Sequence, residues 1–313
     1  MKLYYLGPEG THSHDAAVQL RDALLAQADL IPCTTIPLVI EQTSSVQAEN
    51  ALCCVPIENS IQGSVAQTWD TLMKSACRAS DGGDGEPISI LAAFTVPIHH
   101  YAIHRKGISY KDVQQVYSHP QALAQCQQHI ASLFPKAVPV ALTSTAEAVR
   151  QMAEGGGTGS QHDAAVAIAG RNAAARYGLE RSSSPIEDQA GNETRFALVG
   201  TPGGLSPCVG TPQGWRLSER MVSLCLHGVT HSPGGLVGAL LPFAEADLNL
   251  GRVESRPVGD RLGNYVFYLD VSFDASASPS EMGSCLAPVT RQLASSGIDV
   301  VALGSYPVYQ VES

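Results

Sequence analysis

Three short segments of the chain combine polar side chains with tight backbone, and each could contribute to a binding or catalytic site. The first runs from Leu6 to Ser13 and joins a predicted strand to a predicted helix through two glycines, followed by Thr11 and Ser13. The first N–H groups of a helix have no partner within it and carry partial positive charge, so a helix start favours an anion. The same pattern is also typical of an ordinary strand–turn–helix junction.

The second segment, Glu58-Asn59-Ser60, directly follows the apolar run from Ala51 to Ile57. Such a run is typical of a strand covered on both faces. Open α/β sheets bind their ligands beyond the carboxyl ends of the strands. An acid, an amide and a hydroxyl in a row supply acceptors and donors together, either to a ligand or to each other in a satisfied turn.

The third segment is Gly191-Asn192-Glu193-Thr194-Arg195-Phe196. An arginine that enters an apolar strand is costly to bury unless it meets an acid. Its guanidinium can also grip a carboxylate through two parallel hydrogen bonds. The segment therefore predicts either a carboxylate-binding arginine or a structural ion pair.

The elements that position these segments fall into two parts. Eight of the fifteen residues from Gly200 to Gly214 are Gly or Pro, so we place a linker at 201–218 between residues 1–200 and 219–313. Strands and helices alternate in the first part, which predicts a parallel-rich sheet with helices on its faces. Patterning leaves open whether this is one large sheet or two lobes with a cleft.

Four local predictions in the first part can be checked directly. The apolar stretch from Ile88 to His104 predicts one long strand. Ser64 and Gln67 have the spacing of a capping box, and Ser144 and Glu147 have the same spacing at the start of a further helix. The alanine-rich segment after Ala169 predicts a helix that ends at Gly178.

The second part has the element order βαββαβ, with a last strand predicted at Asp299–Leu303. This order is the ferredoxin-like arrangement. One face of such a sheet is usually open, which would allow pairing with a second copy.

Composition excludes several classes of protein. The chain has 19 Lys and Arg against 29 Asp and Glu, a net charge of −10, so a nucleic-acid binder is disfavoured. No apolar run approaches the ~18 residues of a membrane span. The start of the sequence breaks at Gly7-Pro8, too early for a secretory leader, so we expect a cytoplasmic protein without membrane association.

Four motifs then occur in order: Gly-Pro-x-Gly-Thr-x-Ser at 7–13, Pro-x-Glu-Asn-Ser-x-x-Gly at 56–63, His-Pro-Gln-Ala-Leu-x-Gln-Cys at 119–126 and Thr-Arg-Phe at 194–196. In these motifs the chain resembles the prephenate dehydratase family. Glu-Ser-Arg-Pro at 254–257 resembles the regulatory ACT domain of the same enzymes. Because no chorismate mutase segment precedes Met1, we expect the monofunctional form.

The resemblance implies a fold and a reaction. The fold is a two-lobed catalytic domain like the periplasmic binding proteins at 1–200, followed by an ACT domain at 219–313. The reaction takes prephenate to phenylpyruvate, CO2 and water without a cofactor. Phenylalanine would bind as the effector, and the ACT domains would join the chains into a homodimer or homotetramer.

The resemblance also assigns residues. Thr194 would assist departure of the hydroxyl, Arg195 would grip a substrate carboxylate, and Glu58 would donate a proton or orient Arg195. His12, His14 and His119 are other conceivable acids. The predicted substrate-binding residues are Thr11, Ser13, Asn59, Ser60, Gly63, Ser64 and Phe196. The predicted allosteric residues are Gly234, Gly235, Leu236, Val237, Asn249, Glu254, Ser255, Arg256 and Pro257.

Two positions depart from the family pattern. His12 stands where the family usually has Phe, which changes the pocket wall. Gly234-Gly235-Leu236 replaces the usual Gly-Ala-Leu of the ACT loop and adds backbone freedom there.

Other functions remain open at the level of sequence. An arogenate dehydratase would use the same motifs on a substrate with an amino group in place of the keto group. A carboxylate-binding module without catalysis and an amino-acid sensor with an inactive first part are further alternatives. The second part could also be a dimerisation domain without a ligand.

Overall fold

The computed structural model describes residues 1–44, 51–80, 87–154, 164–201, 211–258 and 264–312. Residues 202–210 of the predicted linker lie outside the described residues. In the first part the elements are β1 (Lys2–Leu6), α1 (His12–Leu24), β2 (Asp29–Cys33), α2 (Ile36–Ser44), β3 (Ala51–Asn59), β4 (Gly63–Ser64), α3 (Ala66–Ser80), β5 (Ser89–Pro97), β6 (Tyr101–His104), β7 (Gln115–Ser118), α4 (Pro120–Gln125), α5 (Gln127–Leu133), β8 (Val138–Ala141), α6 (Thr145–Glu154), β9 (Ala165–Ala169), β10 (Glu180–Arg181) and β11 (Glu193–Gly200).

The first lobe is built on a sheet in which β5, β11, β3, β1 and β2 lie side by side. β1 is parallel to β2 and β3, whereas β11 runs antiparallel between β3 and β5. The apolar run in β3 is buried as expected of a strand covered on both sides. One cluster of core residues packs beneath α1, and another packs beneath α2 and α3.

The second lobe has a five-stranded sheet in the order β10-β6-β9-β7-β8. The chain enters it at residues 98–100, so the prediction of one strand from Ile88 to His104 is wrong. Pro97 lacks an N–H donor, and the next N–H groups leave the ladder: Ile98 donates to the Asn192 carbonyl at 2.8 Å and His100 donates to the Glu187 carboxylate at 3.0 Å. The chain returns to the first lobe between β10 and β11, through residues that end at Asn192. Residues 98–100 and this returning segment are the two crossings between the lobes, and together we call them the hinge.

Two further local predictions are wrong. Ser64 belongs to β4, which pairs with Glu58 and Asn59, so α3 begins only at Ala66 and no capping box forms. The alanine-rich segment forms two 3₁₀ turns, at residues 171–173 and 175–177, rather than an α-helix. It does end at Gly178, whose φ of 62° is left-handed.

The second part contains β12 (Trp215–His227), α7 (Gly235–Glu245), β13 (Asn249–Pro257), β14 (Tyr265–Phe273), α8 (Pro279–Ser295) and β15 (Asp299–Val311). The strand order β13-β14-β12-β15, antiparallel throughout, confirms the ferredoxin-like arrangement. Because β12 begins at Trp215, the last four residues of the predicted linker 201–218 are strand. α7 and α8 cover one face of this sheet.

The two parts share one continuous sheet. β15 extends to Val311, well beyond the predicted Leu303, and pairs in parallel with β5 of the first lobe. Gly304 makes this close approach possible, since a Cβ there would lie 2.9 Å from the backbone nitrogen of Ile90. The face opposite α7 and α8 packs against α3, with Trp69 6.1 Å from the ring of Tyr268, so this face is not open as expected.

None of the helices in the described ranges has the length and apolar character needed to cross a membrane.

Candidate active site

A cavity of about 430 Å³ lies between the two lobes, at the hinge. Both lobes and both crossing segments contribute to its wall. The first lobe supplies Leu6, Gly7, Thr11, His12, Ser13, Ile36, Pro56, Asn59, Gln62, Val65, Thr194 and Phe196; the hinge supplies Ile98, His100 and Asn192; and the second lobe supplies His119, Gln121, Ala122, Gln125, Thr143, Ser144 and Thr145.

Asn59 and Thr194 form the polar centre of this wall. They face each other in the register of β3 and β11. The Asn59 amide nitrogen donates to Thr194 Oγ1 at 3.0 Å, to the Glu193 carbonyl at 3.0 Å and to Asn192 Oδ1 at 2.8 Å. Its amide oxygen accepts from the N–H groups of Ile61 and Gln62. Thr194 Oγ1 is therefore used as an acceptor, which leaves its O–H free to donate into the cavity.

The same network reaches the second lobe. Gln125 Oε1 accepts from the Asn192 amide at 3.2 Å and lies 2.7 Å from His100 Nε2. Amides of both lobes and the hinge thus hold one another at the back of the cavity, and Gln125 Nε2 is buried without a hydrogen-bond partner there.

Two helix starts face the cavity from opposite lobes. Thr11 caps α1 by accepting from the His14 N–H at 3.3 Å, and its own hydroxyl donates to the Pro8 carbonyl at 2.9 Å. Ser144 caps α6 by accepting from the Glu147 N–H at 3.0 Å, as the sequence predicts. The uncapped N–H groups of both first turns point partial positive charge at a ligand between the lobes.

The cavity wall carries no fixed charge. None of its described lining residues is Asp, Glu, Lys or Arg, and its titratable side chains are the histidines 12, 100 and 119. Burial, with a smaller contribution from neighbouring histidines, lowers the pKa of His12 to about 3, and burial also lowers the pKa of His100. Across the described residues no cluster of three His, Cys, Asp or Glu side chains could hold a metal ion.

Arg195 and Glu58 do not belong to this wall. Residues alternate between the faces of a strand, so Arg195 lies on the opposite face of β11 from Thr194. Its guanidinium is 3.4 Å from a Glu58 oxygen and 3.5 Å from a Glu219 oxygen of β12. Neither residue is in the described lining of the cavity, so the predicted grip of Arg195 on a substrate carboxylate and the proton donation by Glu58 gain no support from this geometry and stay predictions. The structural ion pair, the other possibility in the sequence, is what forms.

The other predicted substrate-binding residues divide into two groups. Thr11, Ser13, Asn59, Thr194 and Phe196 line the cavity, while Ser60, Gly63 and Ser64 do not. Ser60 instead accepts from the Glu193 N–H at 2.9 Å and so holds β11 beside the end of β3. Gly63 has a φ of 77° in the turn between β3 and β4.

The predicted allosteric residues lie at the start of α7 and along β13. Of these, Leu236 lines a separate cavity of about 360 Å³ together with Thr230, His231, Tyr265 and neighbouring residues. Gly235 is required for local packing, because a Cβ there would clash with the Thr230 carbonyl. The glycine that departs from the family pattern therefore serves a close approach of this loop.

The sequence prediction missed most of the second-lobe wall. Gln121 and Gln125 belong to the intact motif at 119–126, which was recognised but not assigned to the site. His119 caps α4, accepting from the Gln121 N–H at 3.3 Å. Ser144 was identified only as a helix cap. His119 and Ser144 each lie at the start of a helix that faces the cavity. This shared position is the signal in the sequence that indicates both residues as part of the wall.

The prephenate dehydratase family model matches residues 3–203 of the chain. A prephenate dehydratase from Mycolicibacterium vanbaalenii is 35% identical over 321 residues, covering 98% of this chain and 91% of that protein. The crystal structure of a prephenate dehydratase from Arthrobacter aurescens in complex with L-Phe is 29% identical, with a TM-score of 0.72, and covers 98% of this chain and 90% of that one. A structure titled as GqqA, a quorum quenching acylase, is 25% identical, with a TM-score of 0.73 and 98% coverage of each chain.

Replacing Asn59 by Asp tests the network around Thr194. The carboxylate would face three oxygen acceptors with no proton to donate, so we expect Asn59→Asp to lower the free energy of unfolding by about 1–3 kcal/mol at pH 7.5. Those oxygens raise the pKa of the new carboxyl in the folded state, so the loss should shrink as the pH falls and the group is protonated.

Urea unfolding at pH 7.5 and pH 5 measures the effect, with Asn249→Asp at an exposed position as the matched control. An equal loss at both pH values would contradict this account of the network.

Proposed function

The chain belongs to the prephenate dehydratase family, and we propose that the cavity between its lobes is the site of the reaction. Prephenate, a dianion, takes up one proton and yields phenylpyruvate, CO2 and water. The ring carboxylate leaves as CO2, its bonding electron pair completes the aromatic ring, and the hydroxyl leaves with the proton as water. The observation that supports this assignment is the free O–H of Thr194, held by Asn59 inside the cavity.

Thr194 assists the departing hydroxyl as a hydrogen-bond donor. A donor is most effective when it is already oriented before charge develops on the acceptor. Asn59 achieves this by occupying the acceptor side of Thr194 Oγ1 at 3.0 Å, so that the hydroxyl hydrogen is directed away from the amide. Arg195 positions this residue from behind, since its ion pairs with Glu58 and Glu219 anchor β11 on its opposite face.

The starts of α1 and α6 hold the substrate carboxylates. Each first turn presents unpaired N–H groups, and Ser13 and Thr145 add hydroxyl donors beside them. The donors come from opposite lobes, so a substrate with a carboxylate at each end draws the lobes together.

The apolar part of the wall favours loss of CO2. Ile36, Val65, Phe196 and Ala122 limit the water that can reach the ring carboxylate. Removing water raises the free energy of a carboxylate far more than that of neutral CO2.

Prephenate fits the wall better than arogenate does. Arogenate carries an ammonium group, which needs an acid when it is buried. Among the described lining residues none is Asp or Glu, so the keto group of prephenate meets amide and hydroxyl donors without such a requirement.

The second part is an ACT domain that senses phenylalanine. The solved prephenate dehydratase of Arthrobacter aurescens is in complex with L-Phe. Here alternate residues of the motif at 254–257 face in opposite directions along β13. Arg256 faces α3, where it donates to Asp70 at 2.9 Å, while Ser255 and Pro257 face the side of α7.

Helix α3 carries this contact to the active site. Asp70 also accepts from the Tyr268 hydroxyl at 3.3 Å, and Arg252 lies 3.7 Å from the ring centre of Trp69. Thr68 and Trp69 directly precede Asp70 in α3. The Thr68 hydroxyl donates to the Pro56 carbonyl of β3, and the Trp69 indole N–H donates to the Ile57 carbonyl. A shift of β13 would therefore move the strand that ends at Asn59.

Chains associate through the second part, as a homodimer or homotetramer. Five large apolar side chains of α7, β13 and β14 are exposed there: Leu236, Val237, Leu241, Val253 and Tyr265. A contiguous exposed apolar surface is typical of an interface.

Purified protein should convert prephenate to phenylpyruvate at neutral pH, measured by the enolate absorbance of the product in alkali. Arogenate supplied in parallel should give a lower kcat/KM, because its ammonium group lacks an acidic partner. A preference for arogenate would contradict the substrate assignment, and tight binding of prephenate without turnover would show a carboxylate-binding module instead.

Thr194→Ala should reduce kcat by roughly 10²–10³ with a smaller change in KM, as expected when one preorganised donor is lost. Thr290→Ala, at a half-buried position of α8, is the matched control and should leave kcat unchanged. Full kcat in Thr194→Ala would remove this hydroxyl from the mechanism.

Asp70→Asn should weaken the response to phenylalanine while leaving kcat without effector unchanged. The substitution removes the charge that binds Arg256, and allosteric coupling is typically 5–150-fold in affinity. We expect the concentration for half-inhibition to rise at least about fivefold. Asp112→Asn, which breaks an exposed pair with Lys136, is the control. An unchanged inhibition curve in Asp70→Asn would exclude the α3 route.

A further inference from the structure

Two buried imidazole nitrogens next to the cavity have no hydrogen-bond partner: Nε2 of His12 and Nδ1 of His100. His12 comes from α1 and His100 from the hinge, and both line the cavity. Their ring centres are 5.3 Å apart with the planes at 73°. Buried polar atoms are nearly always paired. Two unpaired nitrogens on adjacent rings therefore point to a proton or a ligand group that binds at this place.

The cavity also lacks charge that would balance its substrate. Prephenate brings two negative charges, while the described lining residues include no Lys or Arg, and Arg195 is committed to acids on the other face of β11. Helix starts supply only partial charges. A protonated imidazole would supply a full positive charge at this wall.

We propose that the adjacent imidazoles of His12 and His100 take up one proton when the doubly charged substrate binds. One of the two rings holds the proton, so the pair becomes the cation that the cavity otherwise lacks. This inference rests on the proposed function, because the dianionic substrate is what drives the uptake.

Without ligand the pair is neutral. Burial lowers the pKa of both imidazoles, that of His12 to about 3, and His100 and His99 lower the pKa of His12 further. A negative charge within about 4–6 Å favours the protonated imidazole, so the carboxylates of a bound substrate raise the pKa of His12. The charge of the pair is therefore switched on by the substrate near neutral pH.

Several other titratable groups surround the pair. Asp15 lies on α1, His99 precedes His100 in the hinge, Arg171 follows β9, and His119 lines the cavity from the second lobe. Glu187 accepts from the His100 N–H and pairs with His99 Nδ1 at 2.8 Å. Asp15 and Glu187 favour the protonated pair, whereas Arg171 opposes it.

A second cavity gives the pair a separate route for protons. This space of about 220 Å³ lies behind His12 and is lined by Asp15, His99 and Arg171 among others. Gly170 leaves the route open, because a Cβ there would lie 3.4 Å from His12 Nδ1 and 2.9 Å from Asp15 Oδ2. Protons can reach His12 from this side while substrate fills the first cavity.

The test is calorimetric binding of prephenate to the slow Thr194→Ala variant at pH 6.5, in phosphate and in Tris. The difference in apparent enthalpy between the two buffers gives the number of protons taken up. We expect roughly 0.5–1 proton per site, and affinity that weakens by up to tenfold per pH unit between the pKa of the free pair and its higher pKa in the complex, then levels off.

Adding His12→Phe or His12→Asn to this background should abolish most of the uptake and weaken binding about tenfold or more at pH 6.5. His104→Phe is the matched control, since that imidazole makes a similar edge contact with Tyr110, at 5.4 Å and 79°, away from both cavities. It should leave the uptake unchanged.

Binding without proton uptake, or uptake that persists in both His12 variants, would overturn the proposal and leave the proposed function intact. Absence of both prephenate binding and wild-type turnover would instead overturn the proposed function, and the pair with it.

Discussion

The hydrogen bonds of the Asn59 amide are the interaction on which the rest of the site depends. Its nitrogen lies within hydrogen-bonding distance of oxygens of three consecutive residues: Asn192 at the end of the hinge, and Glu193 and Thr194 at the start of β11. These bonds align the end of β3 with the start of β11 and set the direction of the Thr194 hydroxyl. They also tie the hinge to the first lobe through Asn192.

The antiparallel insertion of β11 between two other strands explains why adjacent residues have different tasks. Thr194 faces the cavity, and Arg195 faces away from it toward Glu58 and Glu219. A largely buried guanidinium without an acidic partner is destabilising. Glu58 and Glu219 supply that partner to Arg195 on this face of β11. The sequence segment that reads as one binding motif therefore contains a residue that lines the cavity, followed by a residue held in ion pairs on the other face.

This separation marks how far the sequence could predict the site. The motifs pointed to Thr11, Ser13, Asn59, Thr194 and Phe196, which all line the cavity, because motifs at strand ends and helix starts are recognisable locally. Strand alternation, applied to residues 194–196, would already have placed Arg195 on the other face.

The pairing of β15 with β5 and the break at Pro97 depend on contacts distant in sequence, and an apolar run alone cannot show where a strand changes sheet. The second-lobe wall was missed because helix caps such as Ser144 have the same sequence pattern whether or not they face a ligand.

The continuous sheet places the two parts of the chain in mechanical contact. β15 pairs with β12 along most of its length and with β5 through its last residues, and β5 lies next to β11. On one face of this sheet α3 is wedged between β3 and β14, held by Asp70, Trp69 and Thr68. An interior packed at this density transmits a displacement rather than absorbing it. A change at β13 thus has two connected paths to Asn59, one through α3 and one through the ladder of strands, whereas a separately tethered second domain would have neither.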